Sequence, residues 1–114
     1  MISKNKILYR GKSVIKISVL AIDLGGESGQ IIKMDFDGVK FYLQVIHRFP
    51  NLRVEASGTT YWDELSLWRE IQSGIAKSSS VNSLGIDSWW VDFALLDCHG
   101  KLLSNPLHYR DKYS

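Results

Sequence analysis

Two short stretches of this chain hold the residue types that handle phosphates and polyols. The first is Ala21-Ile22-Asp23-Leu24-Gly25-Gly26-Glu27-Ser28-Gly29-Gln30. It sets a carboxylate, Asp23, at the end of an apolar run and follows it with small residues. Glycines let a backbone approach a phosphate closely, and their N–H groups can form an anion-binding nest. A carboxylate beside such a nest can hold Mg²⁺, usually through water, because that ion gives up its hydration reluctantly. The pattern is neither a Walker A loop nor a dinucleotide fingerprint, since no helix follows the glycines. These residues alone support a phosphate loop and a plain glycine hairpin equally.

The second stretch is Gly85-Ile86-Asp87-Ser88-Trp89-Trp90-Val91-Asp92-Phe93. Acids at a strand end can accept hydrogen bonds from sugar hydroxyls, and an indole face can stack on a sugar's C–H surface. The competing account makes Trp89 and Trp90 core or interface aromatics and Asp92 a turn cap. The tryptophans fit that account better. Asp87 and Asp92 lean the other way, because two acids beside an apolar strand need partners.

Other reactive residues carry less. His47, His99 and His108 are widely spaced and lack a paired-ligand pattern. Ser57 and Ser78–Ser80 have no nucleophile context. Cys98 is the single cysteine, which forbids an intrachain disulfide and fits a reducing compartment. Lys77 and Arg69 read as a solvated helix face.

Several elements must position the two stretches. Ile17–Leu24 is a near-continuous apolar run of the kind buried on both sheet faces. Gln30–Phe36 and Lys40–Phe49 alternate in character around Asp37-Gly38, a hairpin signal. Pro50–Thr60 is polar and reads as a loop. Tyr61–Lys77 has helical spacing, with Thr60 or Asp63 as cap and Leu65, Trp68, Ile71 and Ile75 on one face. Ser83–Asp87 is a short strand. Val91–Leu96 and Lys101–Leu103 form a second hairpin about Asp97-Cys98-His99-Gly100. The order strand-strand-strand-helix-strand implies an α/β fold with a mixed β-sheet and one main helix.

Charge is uneven along the 114 residues, whose formal net charge is +2. Lys4, Lys6, Arg10, Lys12 and Lys16 all precede the first acid, Asp23. From there on, nine basic side chains face twelve acidic ones, which excludes a nucleic-acid footprint on the body. Residues 1–16 read as a basic extension, a short solvated tail in preference to a targeting arm. No apolar run approaches the ~20 residues of a membrane span. The expectation is a cytoplasmic protein with no nucleic-acid and no membrane partner.

In this order and content the chain resembles the FGGY-type carbohydrate-kinase family, and most closely its rhamnulokinase branch, from Val19 to Asp111. The likeness rests on Asp23-Leu24-Gly25 with Ser28-Gly29, on Ile46-His47-Arg48-Phe49-Pro50-Asn51, and on Tyr61-Trp62-Asp63. It continues through Leu84-Gly85-Ile86-Asp87-Ser88-Trp89, Val91-Asp92-Phe93, Leu95-Leu96-Asp97, Gly100 and Tyr109-Arg110-Asp111. The first block is common to all actin-like ATPases; the middle blocks and Tyr-Arg-Asp are far more specific.

The resemblance implies a partial ribonuclease-H-like domain over 17–114, the front part of a kinase whose ATP and sugar share a cleft. It implies ATP and Mg²⁺ as cofactors and a small-molecule sugar as partner. Asp23 would serve the metal, and Gly25, Gly26, Glu27, Ser28, Gly29 and Gln30 the triphosphate. Asp87, Trp89, Trp90, Asp92, Tyr109 and Arg110 would face the sugar. The family's aspartate base and adenine-binding domain are expected beyond Ser114, so no catalytic residue is assigned within the chain. Four departures stand out: Gln30 replaces an arginine, Glu27 a small residue, Trp90 a glycine, and Lys112 the arginine that commonly follows Arg-Asp. Two other readings therefore stay open, a non-catalytic remnant and a kinase for another sugar such as xylulose. A sheet left open on one side also implies self-association.

Overall fold

The computed structural model describes residues 6–9 and 12–112. Strands β1 (Lys6–Tyr9) and β2 (Lys12–Ile15) pair antiparallel. The basic start is therefore partly a hairpin and not simply a tail; its residues 1–5, 10 and 11 lie outside the described residues. Then come β3 (Ile17–Leu24), β4 (Ser28–Phe36) and β5 (Phe41–Pro50), an antiparallel meander. After β6 (Arg53–Ala56) and β7 (Thr59–Trp62), helix α1 (Glu64–Lys77) leads into β8 (Ser83–Asp87). β8 lies parallel to β3, giving a four-stranded mixed sheet in the order β5-β4-β3-β8. The α/β class and the mixed sheet match the expectation.

One sheet face carries the core. Leu20, Ile22, Ile31 and Phe49 are buried against Ile71 of α1, with Leu24, Ile46, Leu67 and Val81 packed around them. Each such aliphatic side chain contributes roughly 1.5–3 kcal/mol when taken fully from water. α1 comes close because Gly74 has no side chain: a Cβ there would sit 2.0 Å from Ile31 Cδ1. Asp63 caps the helix, accepting from the Ser66 N–H at 3.2 Å and the Ser66 hydroxyl at 2.7 Å. At the other end the Ser78 N–H reaches the Gly74 and Ile75 carbonyls. His47 on β5 ties α1 to the sheet, 2.6 Å from Glu70 Oε2 and 2.9 Å from Lys77 Nζ.

The opposite face is open. Strand register sets Ile17, Val19 and Ala21 beside Ile32, Met34 and Phe36, and those beside Phe41, Leu43 and Val45. Phe41 and Leu43 are 65% and 67% exposed. The apolar run of β3 is thus covered on one side only.

Four local readings need correction. Pro50–Thr60 is not one loop: β6 and β7 form a hairpin across Ser57-Gly58, both at positive φ (52° and 78°), as a type I′ turn requires. The helix begins at Glu64, since Tyr61 and Trp62 belong to β7. Its buried face is Leu67, Ile71 and Gly74, whereas Leu65, Trp68 and Ile75 point outward at 72%, 52% and 38% exposure. The predicted second hairpin shrinks to one bridge, Leu96 to Leu102, closed by the Leu103 N–H to Leu95 carbonyl bond. Asp97 organises that turn, accepting from the His99 and Lys101 N–H groups.

Candidate functional site

Asp23 is the penultimate residue of β3, on the sheet face away from α1. Its register partners are Gln30 on β4 and Asp87 on β8, and Gln30 in turn pairs with Arg48 on β5. The four side chains form a row across the whole sheet at one end: Asp87, Asp23, Gln30, Arg48. Side chains of paired residues stand about 4.5–5.5 Å apart at Cβ, close enough to interact. Gln30 Nε2 donates to Asp23 Oδ2 at 3.2 Å. Two carboxylates on adjacent parallel strand ends, with an amide holding one of them, make a suitable rest for a hydrated divalent cation. Asp23, Gly25, Ser28, Gly29, Gln30 and Arg48 line one cavity of about 270 Å³.

The glycine turn is fixed by its neighbours. Gly25 N–H donates to the Ser28 carbonyl at 2.8 Å, and a Cβ on Gly25 would lie 2.8 Å from that same oxygen. Buried Asn51 clamps the turn from β5's end, donating its backbone N–H to the Glu27 carbonyl (2.9 Å) and its amide to the Gly25 carbonyl (2.8 Å). A Cβ on Gly26 would stand 3.2 Å from the Tyr109 hydroxyl, and one on Gly29 would fall 2.2 Å from the Phe49 ring. Arg110 Nη1 lies 3.9 Å from Glu27 Oε1, both side chains well exposed. Tyr109 and Arg110 therefore meet the glycine turn itself.

The second stretch is organised around Trp62, which is fully buried. Trp89 stacks on it at 4.0 Å between centroids, the tilted His108 ring lies 4.1 Å from it, and Tyr109 stacks on His108 at 4.5 Å. Asp92 Oδ2 accepts the Trp62 indole N–H at 2.5 Å. The segment 105–111 runs along β7 through the Trp62 N–H to Pro106 carbonyl and His108 N–H to Thr60 carbonyl bonds, both 2.9 Å. Asp111 accepts the Thr60 N–H at 2.8 Å. Burial holds the His108 imidazole below its ordinary pKa; Arg53 and Arg110 push the same way and Asp92 opposes them.

Most of the predicted residues thus fall into three groups. Asp23, Gly25, Ser28, Gly29 and Gln30 share one cavity. Gly26, Glu27 and Arg110 line another, of about 380 Å³, with Asn51, Arg53 and His108. Asp92 and Tyr109 line a third, of about 440 Å³, bounded by Phe93, Leu95 and Leu107. Asp87 lies in an open groove beside Asp23. Trp89 is a packing residue, and Trp90 is 92% exposed. Sequence reasoning gave no role to Asn51, Arg48 or His108. Arg48 lies near the end of β5 and Asn51 just after it, in the Ile46–Asn51 block, but only strand register and hydrogen bonding show what they adjoin.

No family model matches the chain. It is 40% identical over 104 residues to a rhamnulokinase of Bacteroides thetaiotaomicron, covering 88% of this chain and 21% of that protein. It is 42% identical over 96 residues to a rhamnulokinase of Halalkalibacterium halodurans, covering 81% and 20%. The chain thus spans about a fifth of the length of the curated relatives it matches. Its fold matches a gluconate kinase from Lactobacillus acidophilus at TM-score 0.62 and 12% identity, over 84% of this chain and 20% of that one. A xylulose kinase from the same organism matches at TM-score 0.60 and 16% identity, over 82% and 20%. No described helix is long and apolar enough to cross a membrane. Over more than four-fifths of its length the chain is thus similar to rhamnulokinases, and it shares its fold with two further sugar kinases, as a segment about a fifth of their length.

Proposed function

We propose that this chain is the phosphate-side segment of an ATP- and Mg²⁺-dependent kinase that phosphorylates L-rhamnulose. The observation that carries the proposal is the likeness to rhamnulokinases over a segment whose register seats Asp23 between Gln30 and Asp87 at the glycine turn. Residues 1–16 are an extension, and 17–114 form the front of the nucleotide- and sugar-binding domain. When bound, Mg²⁺ neutralises phosphate charge during an in-line transfer.

The chain's own residues position the reactants. Asp23 orients the hydrated metal, and Gln30 fixes its carboxylate. The backbone from Gly25 to Gln30, clamped by Asn51, borders the triphosphate. Asp87, Asp92, Tyr109, Arg110 and the outward Trp90 form the sugar side, with Trp89 as the support of that loop. Holding reactants in geometry supplies much of a phosphoryl transfer, since little covalent chemistry falls to the protein. The general base is not among these residues.

A segment exchange tests the reading. The matching fifth of the Bacteroides thetaiotaomicron rhamnulokinase is replaced by this chain, and ATP-dependent phosphorylation of L-rhamnulose is measured. Activity above background is expected, while the 114-residue chain alone should give none. A folded hybrid that binds neither MgATP nor sugar would establish the remnant reading, which Glu27 and Trp90 favour.

A further inference from the structure

We infer that Arg48 is the phosphate-binding cation of this site, taking from β5 the charge that the glycine turn itself does not carry. The inference rests on the proposed nucleotide reading and deepens it. Gln30 stands between Asp23 and Arg48 in register, and its amide is turned to Asp23. The row therefore has a carboxylate on one flank and a guanidinium on the other. Two strand spacings separate their backbones, roughly 10 Å. A metal-bound phosphate chain laid across Gln30 would place its cation at Asp23 and its free oxygens at Arg48.

Three features single out Arg48 among the nearby cations. Arg110 faces Glu27, and Lys33 is committed to Asp35 and the Ser79 hydroxyl. Among the described residues Arg48 has no acidic partner within ion-pair distance, and it lines the same cavity as Asp23 and the glycine turn. Its backbone is held in place by β4–β5 pairing and by the next residue, Phe49, which is buried in the core under Gly29. A fixed backbone with an exposed guanidinium suits a group that must meet phosphate oxygens, which arginine grips in a two-pronged fashion.

The test is titration calorimetry of the full 114-residue chain with MgATP and, separately, with Mg²⁺-tripolyphosphate. Arg48→Gln should weaken both about three- to tenfold, the range of one exposed charge-assisted contact. Arg48→Lys should recover part of the loss. Gln30→Arg added to Arg48→Gln should restore affinity, because it returns a cation to the same row. Arg69→Gln, on the helix, should change nothing. If Arg48→Gln binds as the parent does while Asp23→Asn loses binding, the role of Arg48 is overturned and the nucleotide site stands. If the parent chain binds neither probe, both this inference and the nucleotide reading fail.

Discussion

Asp92 accepts the indole N–H of Trp62 at 2.5 Å, joining the loop after β8 to a fully buried residue 30 positions earlier. The acid is the indole's hydrogen-bond partner at that site. Truncating it strands a buried donor, which costs about 1–3 kcal/mol. Asp92→Ala should therefore lower the melting temperature by roughly 4–8 °C for each kcal/mol lost. Asp92→Asn, which keeps an acceptor oxygen, should lose clearly less. Equal melting curves for both variants would mean that the contact does not stabilise the fold.

Gly74 offers a sharper test of packing. Alanine is the better helix former by about 1 kcal/mol. Yet a methyl here would land 2.0 Å from Ile31 Cδ1, on a side chain with no exposed surface. Overpacking of this kind costs typically 1–3 kcal/mol, so Gly74→Ala should be net destabilising in chemical denaturation. Ile31→Val removes the clashing carbon and should rescue the alanine variant in part.

Stability should fall on mild acidification. His108 binds its proton less readily folded than unfolded, because burial disfavours the imidazolium and Arg53 and Arg110 add to this. Below the unfolded value of 6.5 the unfolded chain takes up the proton first. The stabilisation is complete above that pH and is lost progressively as pH drops toward the folded value. Asp35 acts lower: its burial raises its pKa, but Ser18, Lys16 and Lys33 together outweigh that and hold it below 3.8. Asp37 is likewise held down, by the Lys40 and Val39 N–H groups. Stability from both acids is lost only as pH falls below that ordinary carboxylate value. Melting temperature measured from pH 7.5 to 5 should therefore slope down, and His108→Gln should flatten the slope.

Glu27 brings negative charge to a loop proposed to border phosphates, and its Arg110 partner is 3.9 Å away and mostly solvated. Such exposed pairs interact weakly. In the segment hybrid, Glu27→Ser should tighten MgATP binding a few-fold, with a smaller gain at high salt because exposed charges are screened. Unchanged or weaker binding by calorimetry would place the phosphates elsewhere.

The open sheet face should make the isolated chain self-associate. Phe41, Leu43, Val45 and Ile17 lie together and are each at least 45% exposed, a patch of the kind that seeks cover. Sedimentation of the chain at micromolar concentration should show species larger than a monomer, and Leu43→Lys should reduce them. A cooperative monomer across that range would show that the face tolerates water.

What the sequence disclosed follows from where its signals are local. The β3–β5 meander was readable from alternation and from Asp37-Gly38, where Asp37 does accept from the Val39 and Lys40 N–H groups. The β6–β7 hairpin is hidden because Ser57-Gly58 sits in a polar stretch and β6, exposed at all four residues, carries little alternation. The helix face was misplaced for a related reason: Leu65, Trp68 and Ile75 are as apolar as Leu67 and Ile71, and tertiary packing alone chooses between the two stripes. In the site, Asp23 and the glycines were evident as a motif, but Arg48 beside Gln30 depends on cross-strand register and Asn51 on a buried clamp. Both residues sit in the Ile46–Asn51 block, but the block does not say which side chains they adjoin.

The parallel placement of β8 has a consequence in time. β3, β4 and β5 are joined by short turns and can zip together early, since closing a short loop costs little entropy. Asp23 and Asp87 become neighbours only when β8 docks on β3, and β4, β5, β6, β7 and α1 all lie between them in the chain. Pairings across so long a stretch of chain form slowly. The carboxylate pair should therefore be among the last features to assemble during folding, and among the first to part when the edge of the sheet opens.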